Sequence, residues 1–119
     1  IIPIDSLPLP HCHFIKIDVE GMEADVIRGA TQTIKTHEPG LYVENYRREK
    51  SPELIDLLLG FDYRLYWHLP PLYNLDNFFH NPENVFGNIG SLNMIGLSKT
   101  IFQDMSGLTE ITDPGDWPL

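Results

Sequence analysis

The stretch Phe14-Ile-Lys-Ile-Asp-Val-Glu-Gly-Met-Glu23 decides the fold class. Its first six residues form a short, mostly apolar run that is typical of a strand, and Glu-Gly then leads directly into a helical pattern. Apolar residues recur there every three or four positions, which predicts one helix over 20–36 with one buried face. Pro39-Gly40 ends that helix. A strand that feeds a helix in this way indicates an α/β protein with a parallel sheet.

The same alternation continues along the chain. Leu41–Glu44 predicts a second strand, which a right-handed crossover would place parallel to the first. Ser51, followed by Pro, favours the start of a second helix with Ser51 as its N-cap. Strands are expected at Tyr63–His68 and Leu92–Leu97, separated by an ordered loop over 73–88. The predicted order is β-α-β-α-β and then a final strand.

A chain of 119 residues is expected to form one domain. We place the folded part at 1–99 and an irregular tail at 100–119, docked by Ile101, Phe102 and Trp117. The chain begins with Ile in the middle of an apolar pattern, so we interpret it as a fragment of a longer protein.

The charge balance excludes several classes of partner. Lys and Arg number 8 against 17 Asp and Glu, a formal charge of −9, which would repel nucleic acid and anionic membranes.

No apolar stretch is long enough to span a bilayer. The single cysteine, Cys12, cannot form an internal disulfide, and a cytoplasmic location is expected.

Polar side chains follow the predicted strands where each one ends. Asp18 and Glu20 follow the first strand, Glu44 and Asn45 follow the second, and His68 ends the third. Ligands of open parallel α/β sheets bind at these carboxyl ends. The Asp18 and Glu20 carboxylates suit a general base or a divalent-cation site, although acids at a helix start also cap the helix.

Other polar and aromatic side chains have two interpretations each. Lys16 lies in a strand that should be covered on both faces, so its ammonium needs a partner such as Asp18, unless it extends to the sheet edge. His11-Cys-His13 offers transition-metal ligands but is more simply an entry loop. Six aromatic residues could line a pocket or fill the core: Tyr46, Tyr66, Trp67, Tyr73, Phe78 and Phe79. Of these, Phe78 and Phe79 are assigned to the core.

Taken together, 14–23 and the following Val26-Ile-Arg-Gly-Ala30 resemble the signature of FkbM-type S-adenosylmethionine-dependent methyltransferases. Ile4–Leu7 and Asn93–Leu97 resemble flanking segments of that family, so the resemblance spans 4–99. It implies the C-terminal half of a class I methyltransferase, a Rossmann-like sheet with helices on both faces and an antiparallel last strand. The glycine-rich donor-binding half is missing, and the chain alone is expected to be inactive.

The resemblance also implies a chemistry, O-methylation of a small molecule or sugar with S-adenosylmethionine as donor. Asp18 and Glu20 are then candidate bases, Lys16 is a third catalytic candidate, and Asp18 faces the methyl group of the donor. By similarity to catechol O-methyltransferase-like enzymes, a Mg²⁺ site is expected at Asp18, Glu44 and Asn45.

Two other functions stay open. A non-catalytic, truncated α/β module could self-associate, because a homo-oligomer would cover the open sheet edge. A metal–nucleotide motif of a glycosyltransferase is the third interpretation, but no basic phosphate-binding cluster supports it.

Overall fold

A computed structural model describes residues 1–101 and 103–119 of the chain. The strands in this part are β1 Phe14–Ile17, β2 Gly40–Glu44, β3 Tyr63–His68, β4 Asn93–Ser98 and β5 Thr109–Ile111. The helices are α1 Glu23–Arg28, α2 Thr31–His37 and α3 Ser51–Leu59, preceded by a 3-10 turn at Ile4–Ser6. Among the described residues, none of these helices is long and apolar enough to cross a membrane.

The strands form one open mixed sheet in the order β1-β2-β4-β3-β5. β1 and β2 are parallel, with Phe14 opposite Gly40 and Ile17 opposite Val43, which confirms the predicted parallel pairing. β4 lies between β2 and β3 and is antiparallel to both. The ends of β1, β2 and β3 and the start of β4 therefore meet at one edge, here called the carboxyl edge. This mixed α/β architecture is compatible with a methyltransferase-like fold.

The helices pack on one face of the sheet only. Ile17, Leu41, Val43 and Leu65 point to that face and are at most 2% exposed, while Lys16 on the opposite face has a side chain that is 57% exposed. The expectation that this strand is covered on both faces is therefore wrong. β1 is an edge strand with one covered face, so the Lys16 ammonium stays in contact with water.

The single helix predicted over 20–36 is also wrong, because α1 ends before α2 begins. The Asp5 carboxylate accepts hydrogen bonds from the backbone N–H groups of Gln32 (2.9 Å) and Thr33 (2.8 Å), and from the Thr33 hydroxyl (2.8 Å). The Asp5 N–H donates to the Gly29 carbonyl at 2.9 Å. The N-terminal segment thus supplies a cap from outside the helix, and the free N–H groups of a helix start favour such a cap.

Replacement of Asp5 by Ala is expected to lower the free energy of unfolding by about 1 kcal/mol at pH 7, because the α2 cap is lost. Burial acts to raise the pKa of Asp5, but the hydrogen bonds from Gln32 and Thr33 bring it below the ordinary value of 3.8. Its stabilisation is therefore present above pH 3.8 and disappears as the pH falls through the lowered pKa. Urea unfolding at several pH values checks this.

Asp5→Asn is the matched control, since Asn keeps a capping oxygen and has no charge to titrate. It is expected to retain most of the stability at pH 7 and to lack the acid-dependent loss. Equal destabilisation by Asn and Ala would contradict the capping role.

α3 begins and ends where the sequence predicts, but Ser51 is not its N-cap. Lys50 occupies that position, and Ser51 is 2% exposed. The Ser51 hydroxyl accepts a hydrogen bond from Asn45 Nδ2 at 2.9 Å. Burial next to β2 therefore directs this hydroxyl to a side chain rather than to the helix backbone.

The tail after Lys99 is not wholly irregular. Thr109–Ile111 forms β5 against β3, with Ile111 only 1% exposed. The Trp117 ring packs edge-on against Trp67, at 5.8 Å between ring centroids, which confirms that Trp117 docks the tail. Phe102 lies outside the described residues. The boundary between 1–99 and 100–119 stays a prediction.

The assignment of Phe78 and Phe79 to the core is wrong. Their side chains are 89% and 85% exposed. They lie in the loop between β3 and β4, which projects from the sheet, so no core surface is within their reach. Tyr66 and Trp67 are buried in β3, as a core assignment requires.

Candidate active site

Three carboxylates lie together at the carboxyl edge. Asp18 and Glu20 follow β1, and Glu44 ends β2. Because Ile17 pairs with Val43, the next residues along the two strands, Asp18 and Glu44, are neighbours. The sequence prediction that these acids meet at one edge is thus matched by the register of the strands.

A cleft of about 390 Å³ opens at this edge. Glu20, Glu44 and Tyr46 line one side. Leu72 and the segment 90–92, at the two ends of the β3–β4 loop, line the other. The cleft therefore combines acidic groups from the parallel strands with wall residues from the loop.

The turn after β1 has an unusual backbone. Glu20 and Gly21 both have positive φ, 55° and 93°. The Gly21 N–H donates to Glu23 Oε1 at 2.8 Å, and Lys50 Nζ donates to the Gly21 carbonyl at 2.7 Å. A non-glycine residue at positive φ needs such support, so these contacts fix the position of Glu20.

The segment that follows β2 holds the Glu20 carboxylate. The Tyr46 hydroxyl donates to Glu20 Oε2 at 2.7 Å, and Arg47 Nη2 lies 3.7 Å from the same oxygen. The hydrogen bond to Glu20 raises the pKa of Tyr46. The Arg47 guanidinium also lies over the Tyr46 ring, 5.0 Å from its centroid. These contacts orient Glu20 toward the cleft.

Sequence reasoning missed the roles of Arg47 and Lys50. The signal was available, because basic residues cluster directly after a strand end in a chain of net charge −9. Tyr46 was noted only as one of several aromatics. The three side chains become a group only when β1 and β2 lie side by side.

Lys16 and Asp18 form the pair that the sequence suggested. Lys16 Nζ donates to Asp18 Oδ2 at 2.7 Å, and both side chains are about half exposed. The hydrogen bond from Lys16, and then its positive charge, lower the pKa of Asp18. Asp18 therefore stays ionised and is a weak proton acceptor.

Substitution of Lys16 by Met is expected to raise the pKa of Asp18 toward its ordinary value, with little change in stability because the pair is solvated. Carboxyl ¹³C titration by NMR measures this. Lys99→Met is the matched control, since Lys99 is equally exposed at 57% and pairs with Asp62, away from Asp18. An unchanged Asp18 titration in the Lys16 variant would contradict the pairing.

Glu44 has the opposite electrostatic environment. Burial raises its pKa, and the negative charges of Asp18, Glu20 and Glu23 raise it further. A carboxylate with a raised pKa takes up a proton more readily, which is the property of a general base. From the sequence alone, Glu44 was predicted only as a metal ligand.

The Mg²⁺ hypothesis for Asp18, Glu44 and Asn45 gains no support. Asn45 is 4% exposed, and its Nδ2 donates inward to Ser51 Oγ and, at 3.2 Å, to Met94 Sδ. No group of three or more His, Cys, Asp or Glu side chains within 1–101 and 103–119 is arranged to hold a metal ion. His11, Cys12 and His13 do not form such a group either.

His68 lies on the same edge but not beside the acids. Asn93 of β4 pairs with Glu44 on one side and His68 on the other, so about two strand spacings, roughly 10 Å, separate Glu44 from His68. His68 Nδ1 is hydrogen bonded to the Tyr42 hydroxyl at 2.9 Å. His68 is therefore placed to bound the site rather than to contact the carboxylates.

A family model described as the Methyltransferase FkbM domain matches residues 2–65, more than half of the chain. The chain belongs to the FkbM methyltransferase family. The matched segment contains all three carboxylates, the Tyr46–Lys50 segment and every helix described above. No curated protein and no solved structure gives a significant match.

Membership in the FkbM family confirms the resemblance read from the sequence and indicates methyl transfer, for which S-adenosylmethionine is the usual donor. β4, β5 and the β3–β4 loop lie outside the matched segment. The FkbM match therefore covers the acidic side of the cleft and does not extend to the opposite wall.

Proposed function

We propose that this FkbM protein transfers a methyl group from S-adenosylmethionine to a hydroxyl of a small molecule or sugar. The observation that carries the proposal is Glu44, a carboxylate of raised pKa that lines the cleft within the family-matched segment. Removal of a hydroxyl proton during attack is the step that such a base assists.

The carboxyl edge fits the donor by charge. S-adenosylmethionine carries a sulfonium cation and supplies an electrophilic methyl group when bound. Asp18, kept ionised by Lys16, and Glu20, held by Tyr46 and Arg47, offer complementary negative charge. Asp18 is the candidate to face the methyl group.

In the proposed step, Glu44 accepts the hydroxyl proton of the acceptor. The acceptor oxygen forms its bond to the methyl carbon while the carbon–sulfur bond breaks, which leaves an ether and a neutral thioether. Asp18 and Glu20 take no part in this proton transfer, and the role proposed for them is electrostatic. The protein's main contribution is to hold the reacting atoms in line.

The outer edge of β1 is the proposed place for the donor-binding half. Within the described residues, β1 pairs only with β2, so N–H and C=O groups on its other side lack strand partners. We propose that a strand of a donor-binding half pairs there. A second copy of this chain, forming a non-catalytic module, is the alternative occupant, although two copies of charge −9 would repel each other.

The test uses pairs of acceptors that differ only in a hydroxyl or an amino group. The chain together with the proposed donor-binding half is incubated with S-adenosylmethionine, and methylated product and S-adenosylhomocysteine are measured by mass spectrometry. Methyl ethers from the hydroxyl members are expected. Exclusive methylation of the amines would overturn O-methylation, and a stable dimer that binds no donor would favour the non-catalytic module.

A further inference from the structure

The loop between β3 and β4 is a projecting arm, defined here as residues 72–90. Its two ends stay paired beyond the sheet: Pro71 bridges Gly90, and the Leu72 N–H donates to the Ile89 carbonyl at 3.0 Å. Leu72 and Gly90 also line the cleft. The arm therefore rises directly from the wall of the candidate active site.

Side-chain amides fix the shape of the arm. Asn77 Oδ1 accepts from the Asn81 N–H at 3.0 Å, and Asn77 Nδ2 donates to the Asn81 carbonyl at 2.8 Å. Asn84 Oδ1 accepts from the Phe86 N–H at 3.0 Å, and Asn84 Nδ2 donates to the Gly87 carbonyl at 2.8 Å. Such hydrogen bonds from side-chain amides to the backbone order a loop without an apolar core.

The apolar side chains of the arm face water instead. Phe78, Phe79 and Leu75 are 89%, 85% and 77% exposed. The other exposed large apolar residues of the arm are Leu72, Val85, Phe86 and Ile89. An ordered loop with this many exposed apolar side chains is typical of an interaction surface, because contiguous apolar exposure is otherwise rare.

The charge of the arm and its position beside the cleft indicate which kind of molecule binds it. The arm contains Asp76 and Glu83 and has no Lys or Arg, so it does not attract an anionic lipid surface. A second copy of the chain would add a further charge of −9. The base of the arm, at Leu72 and Gly90, lines the cleft that contains Glu44, so a molecule that fills the cleft contacts the arm there.

We propose that the acceptor is an amphipathic alcohol whose hydrocarbon portion binds the arm while its hydroxyl reaches Glu44. The assignment of the hydroxyl rests on the proposed function. The assignment of the hydrocarbon portion rests on the arm alone. The ligand class is thus a neutral, hydroxylated head group joined to an apolar body.

The probes are n-alkyl β-D-glucosides from butyl to octyl, used below their micelle-forming concentrations and measured by calorimetry. The affinity is expected to rise about two- to fourfold with each added CH₂, where fourfold corresponds to complete burial. The double variant Phe78→Ser/Phe79→Ser is expected to abolish most of this dependence. Phe14→Ser is the matched control, because Phe14 is also exposed, at 62%, and lies at the opposite end of β1.

Three results would overturn the proposal: affinity independent of alkyl length, binding to phosphatidylcholine vesicles that the double variant removes, or a dimer in sedimentation that the double variant dissociates. The first leaves the arm without a ligand, and the others assign it to a membrane or to a second copy. The binding measurement needs no methyl transfer. Methyl ethers without length dependence would therefore reject the arm proposal alone, and length dependence without methyl transfer would reject only the proposed reaction.

Discussion

Replacement of Glu44 by Gln is expected to lower the rate of methyl transfer by roughly 10²- to 10⁴-fold, the range that general-base catalysis contributes. Gln has nearly the shape of Glu and cannot accept the hydroxyl proton. Donor binding, which depends on the proposed donor-binding half and on the charges of Asp18 and Glu20, is expected to change little. Single-turnover rates and calorimetric titration with S-adenosylmethionine measure the two quantities separately.

The same substitution is expected to leave the protein at least as stable at pH 7. Burial, and then the neighbouring acids, raise the pKa of Glu44 above its ordinary value of 4.5, so ionised Glu44 opposes folding at neutral pH. The favourable contribution of a raised pKa is fully present below pH 4.5 and is lost as the pH rises through the folded-state pKa. Loss of activity without loss of stability would separate catalysis from a structural role.

The pH profile gives a second signature of the same base. Wild-type activity is expected to fall as the pH drops through the raised pKa of Glu44. Glu20→Gln removes one neighbouring negative charge and is expected to move this acid limb to lower pH. The Glu44→Gln variant should lack the limb.

Glu110→Gln is the control for Glu44, since Glu110 lies on β5 opposite Tyr66 of β3, is exposed and does not line the cleft. It is expected to retain full activity. If Asp18→Asn lost activity far more than Glu44→Gln, the base would be Asp18, as the sequence first suggested.

Gly21→Ala is expected to destabilise the protein by about 1–3 kcal/mol, because a side chain at positive φ is strained. Gly21 has φ 93°, and an added Cβ would lie 2.7 Å from Arg47 Nε and 2.9 Å from Arg47 Cδ. Arg47 must then move, and its contact with Glu20 is lost. Urea unfolding measures the stability, and the pH profile of activity reports the changed position of Glu20.

Gly107→Ala separates the two causes. Gly107 has nearly the same φ, 97°, but an added Cβ there meets nothing within 4 Å. Its cost is therefore backbone strain alone. The excess cost at Gly21 measures the contact with Arg47, and equal costs at both positions would show that Arg47 moves freely and does not hold the turn.

The sequence predicted the helices and strands whose bounds depend on residues close to them in the chain. β1, β2, α3 and β3 lie close to their predicted ranges, because apolar periodicity and Pro or Gly boundaries are sufficient for them. The split between α1 and α2 was not predictable in this way. It depends on Asp5, which reaches the helix from 27 and 28 positions earlier in the chain.

The sequence predicted which acidic residues form the candidate site but not how their environments differ. Strand ends brought Asp18, Glu20 and Glu44 into consideration, since parallel strands place their carboxyl ends together. The different proton affinities of Asp18 and Glu44 were not predictable, because these depend on the Lys16 hydrogen bond and on the burial of Glu44. The exposure of Phe78 escaped prediction too, because aromatic composition alone favours burial.

The strand order has a consequence for how the chain folds during synthesis. β2 and β3 flank β4 without pairing to each other, so the sheet has a gap until residues 93–98 have left the ribosome. β1, β2 and the helices can associate early through contacts near in sequence, whereas insertion of β4 also pairs it with β2 across about 50 residues and is intrinsically slow. Nascent chains that end before Asn93 should therefore be sensitive to protease, and protection should appear in one step when β4 is available.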